Sequence, residues 1–111
     1  MKKVTNAQII EAIALNGYEQ GFFHLLEDDD NGNIKDACAL GQACLNLGVR
    51  HLAIKWPSIR DVVLLNDAQK KTPKQIARVL KKLLKDQLDE TFEFEEFDWG
   101  EKYKNYQGVK I

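Results

Sequence analysis

The sequence predicts a mainly α-helical fold: a compact small domain of about four helices, with room for a short strand or hairpin and an acidic–aromatic C-terminal tail. Three observations carry that expectation. Thr5–Gln8 and Thr72–Gln75 both have the Thr-x-x-Gln spacing of a capping box. Apolar residues follow each box at helical spacing. Pro57 and Pro73 both fall at helix starts, where a missing amide hydrogen does no harm. The helical domain is expected over residues 1–90 and the extension over 91–111.

The first helix should begin after Thr5, with Val4 and Ile9 as a hydrophobic staple, and should end at Asn16-Gly17. Phe22-Phe-His-Leu-Leu26 is too short for periodicity to separate strand from helix. Asp28-Asp-Asp-Asn-Gly-Asn33 reads as a turn, with Gly32 supplying the left-handed angle. A second helix is expected from Asp36, as N-cap, to Gly48. Its mid-helix Gly41 costs about 1 kcal/mol relative to alanine, so a helix or an aromatic ring should approach the backbone there. Residues 49–55 form a connector. Residues 59–65 read as a short third helix, with a strand as the competitor because of Val62 and Val63. The fourth helix is the clearest: Thr72 caps it, and Ile76, Leu80, Leu83, Leu84 and Leu88 form its apolar stripe.

Length and composition bound the function classes. A chain of 111 residues supports one modest core. An apolar fraction of 44% and a charged fraction of 30% are those of an ordinary globular protein. The formal net charge of -1 gives no global attraction to nucleic acid or acidic membranes. No run is long enough to span a bilayer, and no apolar segment follows Met1-Lys-Lys, so a cytoplasmic location is expected. Cys38 and Cys44 sit six apart on one predicted helix and diverge around it, so reduced thiols are expected.

Each candidate motif has a plainer reading beside it. With Gly32 as the sixth residue of a calcium loop, the twelfth is Cys38, where a bidentate glutamate is required; the turn is read as solvated, and no metal or cofactor is expected. Cys38 near a helix start has the position of an activated thiol. It nevertheless lies between Ala37 and Ala39 and next to Asp36, which favours a packed, inert residue, and no catalytic residue is assigned. Gln20, Cys38, Asn66 and Asp67 are kept as a candidate ligand pocket. The basic face of the fourth helix, Lys74, Arg78, Lys81, Lys82 and Lys85, is the candidate for phosphate contact. Against this, the face can be simply solvated or neutralised by the acidic tail. That tail interleaves carboxylates with Phe92, Phe94, Phe97 and Trp99, and Tyr103, Tyr106, Val109 and Ile111 continue the apolar spacing. The six aromatics Phe92, Phe94, Phe97, Trp99, Tyr103 and Tyr106 are the candidate anchors for a protein partner.

Gly17-Tyr-Glu-Gln-Gly21, Cys38-Ala-Leu-Gly41, Leu65-Asn-Asp67 and Lys71-Thr72 together resemble a family of small bacterial and phage domains carried under a domain-of-unknown-function label. The family pattern has Trp, Ala and Trp where this chain has Tyr18, Gln42 and Leu65. The resemblance covers residues 17–84 and leaves the tail unmatched. It implies a small helical fold and, by association with mobile elements, a phage-encoded accessory protein. It brings no activity to carry over.

The expectation is therefore a non-enzymatic protein-binding module that modulates a host or viral protein. The alternatives are a ligand-binding or cysteine-dependent hydrolytic site near Cys38, and nucleic-acid binding by the fourth helix.

Overall fold

Both capping boxes form. In the computed structural model, which describes residues 1–15 and 17–107, the Thr5 amide donates to Gln8 Oε1 at 2.8 Å and the Gln8 amide to Thr5 Oγ1 at 3.1 Å. This starts α1 (Asn6–Ala14), with Val4 and Ile9 both buried at the staple positions. The helix stops at Ala14, capped by an extended Leu15; Asn16 of the expected stop lies outside the described residues. The second box, at 2.9 and 3.2 Å, starts α5 (Pro73–Leu83) with Pro73 in its first turn. That helix ends earlier than its apolar stripe suggests. Leu83 is 57% exposed, Leu84 is the cap, and Leu88 packs on the core from the turn beyond.

The fold is α+β, which corrects the expectation of a mainly α, all-α domain of about four helices. Among the described residues there are six helices and five strands in two sheets. Lys2–Thr5 is a strand, β1, as well as the lead-in to α1. The central strand of the second sheet is β4 (Ile34–Ala37), with β2 (Glu19–Gln20) parallel on one side and β3 (Leu26–Asp28) antiparallel on the other. Phe22 to Leu25 adopt bends, neither strand nor helix.

The α2 helix (Ala39–Leu47) is buried along its whole length. Gly48 closes it at φ 68°, in the left-handed region where glycine has no Cβ penalty. Its N-cap is Cys38; the expected cap, Asp36, belongs to β4 instead. Gly41 is approached closely, by the backbone of Leu25 rather than by a helix or a ring: a Cβ built on Gly41 would collide with the Leu25 carbonyl. Residues 49–55 contain a further short helix, α3 (Leu52–Lys55). Residues 59–65 are helical: α4 (Ile59–Val63) runs into a single π turn, Leu64–Ala68, closed by the Gln69 amide donating to the Leu64 carbonyl at 3.0 Å.

The main core gathers Ile9 and Ile13 of α1, Leu40 and Cys44 of α2, Leu52, Trp56, Val62, and Ile76 and Leu80 of α5. The α1 helix packs against both α2 and α5. Trp56 is buried with its indole donating to Asn6 Oδ1 at 2.8 Å, while Asn6 Nδ2 donates to the Gln87 carbonyl at 2.8 Å. A buried polar group therefore links α1 to the turn after α5 without an unpaired atom on the asparagine.

The stretch expected as an extension closes the fold. Thr91–Phe94 is β5, antiparallel to β1 with Val4 opposite Phe92. Phe94 is fully buried in the main core, and Tyr103 is buried beside Ile34, Ala37 and Leu45 in a smaller one. Trp99–Lys102 forms α6, capped by Asp98 Oδ1 accepting from the Gly100 amide at 3.0 Å.

Candidate functional site

Three of the four residues of the candidate ligand pocket meet around the π turn. Asn66 is 1% exposed and is the hub. Its Oδ1 accepts from Gln20 Nε2 at 2.8 Å and from the Ala39 amide at 3.1 Å. Its Nδ2 donates to the Gly21 carbonyl at 3.0 Å and to Asp67 Oδ1 at 2.7 Å. Gln20 also donates to the Lys71 carbonyl at 2.8 Å, and Asp67 Oδ1 accepts from the Phe23 amide at 3.0 Å. Each group thus satisfies another, and the β2 strand, the start of α2 and the π turn are tied together. The wider turn of the π helix points both Leu65 and Asn66 inward.

Cys38 sits beside this hub, buried, at the start of α2. Burial pushes its thiol pKa up. The amides of Gly41 and Leu40 pull it down without overcoming burial, and the Asp67 carboxylate adds to the rise. Among the described residues no hydrogen bond joins Cys38 to His24 or His51. Cys44 is more strongly affected, its pKa pushed up to about 12 by burial. Both thiols are free and protonated at neutral pH.

A polar cluster that sequence reading missed lies next to the hub. His24 Nε2 is 2.5 Å from Asp36 Oδ1 and 3.6 Å from Glu27 Oε2. The hydrogen bond to Asp36 holds the His24 pKa above its ordinary value. Desolvation opposes this, and the charges of Asp36, Glu27 and Asp67 reinforce it. Gly21 makes the arrangement possible: a Cβ there would strike Asp36 Oδ1 and come within 2.7 Å of His24 Nε2. Gly21 was the available signal: its φ is not positive, so clearance for Asp36 and His24, and not a backbone angle, calls for glycine.

The acidic turn is organised by Asp29. Its Oδ1 accepts from the amides of Asn31 and Asn33 at 2.8 and 2.9 Å, and Asn33 Nδ2 donates to its Oδ2 at 3.1 Å. The Asn33 amide, then that of Asn31, holds the Asp29 carboxyl below the usual range. Gly32 takes φ 80° there.

The six tail aromatics are engaged within the chain. Phe94 and Tyr103 are buried, and Phe92, Phe97, Trp99 and Tyr106 are half-buried. Trp99 donates to the Val49 carbonyl at 3.2 Å and Tyr106 to the Leu45 carbonyl at 2.7 Å. Arg50 lies 4.7 Å from the Phe97 ring centroid. Val109 and Ile111 lie outside the described residues.

The described part of this tail leaves the basic residues Lys74, Arg78, Lys81, Lys82 and Lys85 exposed. Lys74, Arg78 and Lys81 of α5 border a groove of about 510 Å³ against α1, floored by Ala7, Ile10, Ala14, Ala77 and Leu88. Glu11 lines the same groove without closing an ion pair; among the described residues none of the three cations has a carboxylate within salt-bridge distance. Lys82 and Lys85 are exposed and lie outside the groove. No helix among the described residues is long and apolar enough to cross a membrane. Comparison with known proteins finds no matching family model, curated protein or solved structure.

Proposed function

We propose that this chain is a non-enzymatic protein-binding module, and that it receives an acidic, partly apolar segment of its partner in the groove between α1 and α5. The observation that carries this reading is the combination of an apolar floor with three cations that, among the described residues, have no carboxylate within salt-bridge distance. An amphipathic helix laid in such a groove would bury its apolar face on Ile10, Ala77 and Leu88 and set its carboxylates against Lys74, Arg78 and Lys81. The engagement of Phe94, Trp99, Tyr103 and Tyr106 with the chain's own core moves the expected contact surface away from the tail. The resemblance to phage and bacterial domains adds, by association, a host or viral protein as the partner.

Peptide selection from a random display library tests this. Enriched peptides should interleave Asp or Glu with apolar residues and should lose binding to the Arg78→Glu variant. Enrichment of peptides without acidic residues, or binding that survives Arg78→Glu, would count against the groove.

Nucleic-acid contact is the second reading, favoured by Lys82 and Lys85 extending the basic stripe beyond the groove. It predicts a mobility shift that weakens steeply with salt; absence of a shift at low salt removes it.

A further inference from the structure

Glu27 and Asp36 are direct cross-strand partners in β3 and β4, so their side chains leave the sheet on the same face. His24 reaches that face from the bend before β3. One imidazole nitrogen and two carboxylate oxygens converge there, all within 4.8 Å of one another. The backbone beneath them is bare, because Gly21 supplies no Cβ where one would strike both His24 and Asp36. Glu19, which pairs with Asp36 across β2, places a further carboxylate along the same face. Lys35 is the cation at the cluster, with its Nζ 3.7 Å from Glu27 Oε1, and it is mostly exposed.

We propose that His24, Glu27 and Asp36 form a binding site for a divalent transition-metal ion of the zinc type. The donor set decides the class of metal. One imidazole nitrogen with two carboxylates suits zinc and its neighbours, whereas calcium and magnesium take oxygen ligands. Zinc bonds to nitrogen and oxygen of about 2.0–2.2 Å set tetrahedral ligand atoms roughly 3.3 Å apart. The His24–Glu27 separation of 3.6 Å is already close to that. Asp36 Oδ1, at 2.5 Å from Nε2, has to retreat by under about 1 Å as the ion replaces the shared proton. The His24 and Glu27 side chains are 36% and 46% exposed, which leaves the fourth ligand position to water. The site is separate from the α1–α5 groove, so either assignment stands without the other.

Zinc titration of the full chain, followed through its two histidine ring signals by NMR, tests the site. His51 is the internal control, since Glu95 at 3.5 Å is its one carboxylate neighbour among the described residues. One equivalent of zinc should saturate the change at His24 and leave His51 unmoved. Glu27→Gln, at an exposed position, should weaken binding about tenfold or more with the fold intact, and Lys35→Ala should tighten it. Parallel, unsaturated shifts of both histidines, or an unaltered His24 response in Glu27→Gln, would overturn the assignment.

Discussion

Asn66 Oδ1 accepts the Ala39 amide hydrogen at 3.1 Å, so the first amide of α2 is satisfied by a side chain 27 positions downstream. The N-cap residue, Cys38, makes no side-chain capping hydrogen bond. A buried helix start needs partners for its free amides. Here the partner comes from the π turn, which makes the geometry of α2 depend on that of residues 64–68.

Asn66→Ala should therefore destabilise strongly. It strands the Ala39 amide and the Gly21 carbonyl in the interior and removes one acceptor of Gln20. At about 1–3 kcal/mol for each buried group left unpaired, the loss is on the order of 3 kcal/mol. Urea unfolding at constant slope measures it; a loss below about 1 kcal/mol would mean that water substitutes for the side chain.

Gly41→Ala should destabilise even though alanine is the better helix former. The propensity gain of about 1 kcal/mol is opposed by a collision with the Leu25 carbonyl, which is backbone and cannot rotate away. Overpacking of this kind costs about 1–3 kcal/mol, and more where the neighbour is fixed. A melting temperature below that of the parent checks the sign.

Stability should fall in alkali, with Cys44 as one cause. Its thiol pKa is raised from an ordinary 9.0 to about 12 by burial. Below pH 9 both states hold the proton and the group contributes no pH dependence. Between about 9 and 12 the unfolded chain releases a proton that the folded chain retains, so unfolding is favoured as pH rises. Cys44→Ala should flatten the decline over that window, as read from urea midpoints. Iodoacetamide should label the folded protein slowly at pH 8 and quickly in urea.

Removal of β5 should abolish cooperative folding. Phe94 is fully buried and its strand is the partner of β1, which leads into α1. Phe94→Ala alone should cost about 3–5 kcal/mol. A chain ending at residue 90 should lose its sharp thermal transition in circular dichroism. A transition retained by that shortened chain would show that residues 1–90 fold independently.

Helix starts were the most legible part of the fold, because a capping box is a local device: Thr5–Gln8 and Thr72–Gln75 form as their spacing predicts. The strands were not legible. They are two to four residues long, too short for alternation to register. Thr91-Phe-Glu-Phe94 does alternate, but its acidic surroundings made it look like a display surface rather than a strand. Asp36 was the better cap by residue type, yet pairing in β4 and the bond to His24 place it outside the helix. Gln20, Asn66 and Asp67 do lie together, joined by mutual hydrogen bonding, which connects distant segments and leaves no local pattern. His24 carries no local signal of its cluster, because its partners, Glu27 and Asp36, come together only through strand register.

The groove between α1 and α5 is tested most directly by mapping a selected acidic peptide onto the labelled chain with amide chemical shifts. Binding there should move the signals of Ala7, Ile10, Ala77 and Leu88 and leave those of Phe97, Trp99 and Tyr106 in place. Shifts centred on the tail aromatics, with Ala77 and Ile10 unchanged, would contradict it.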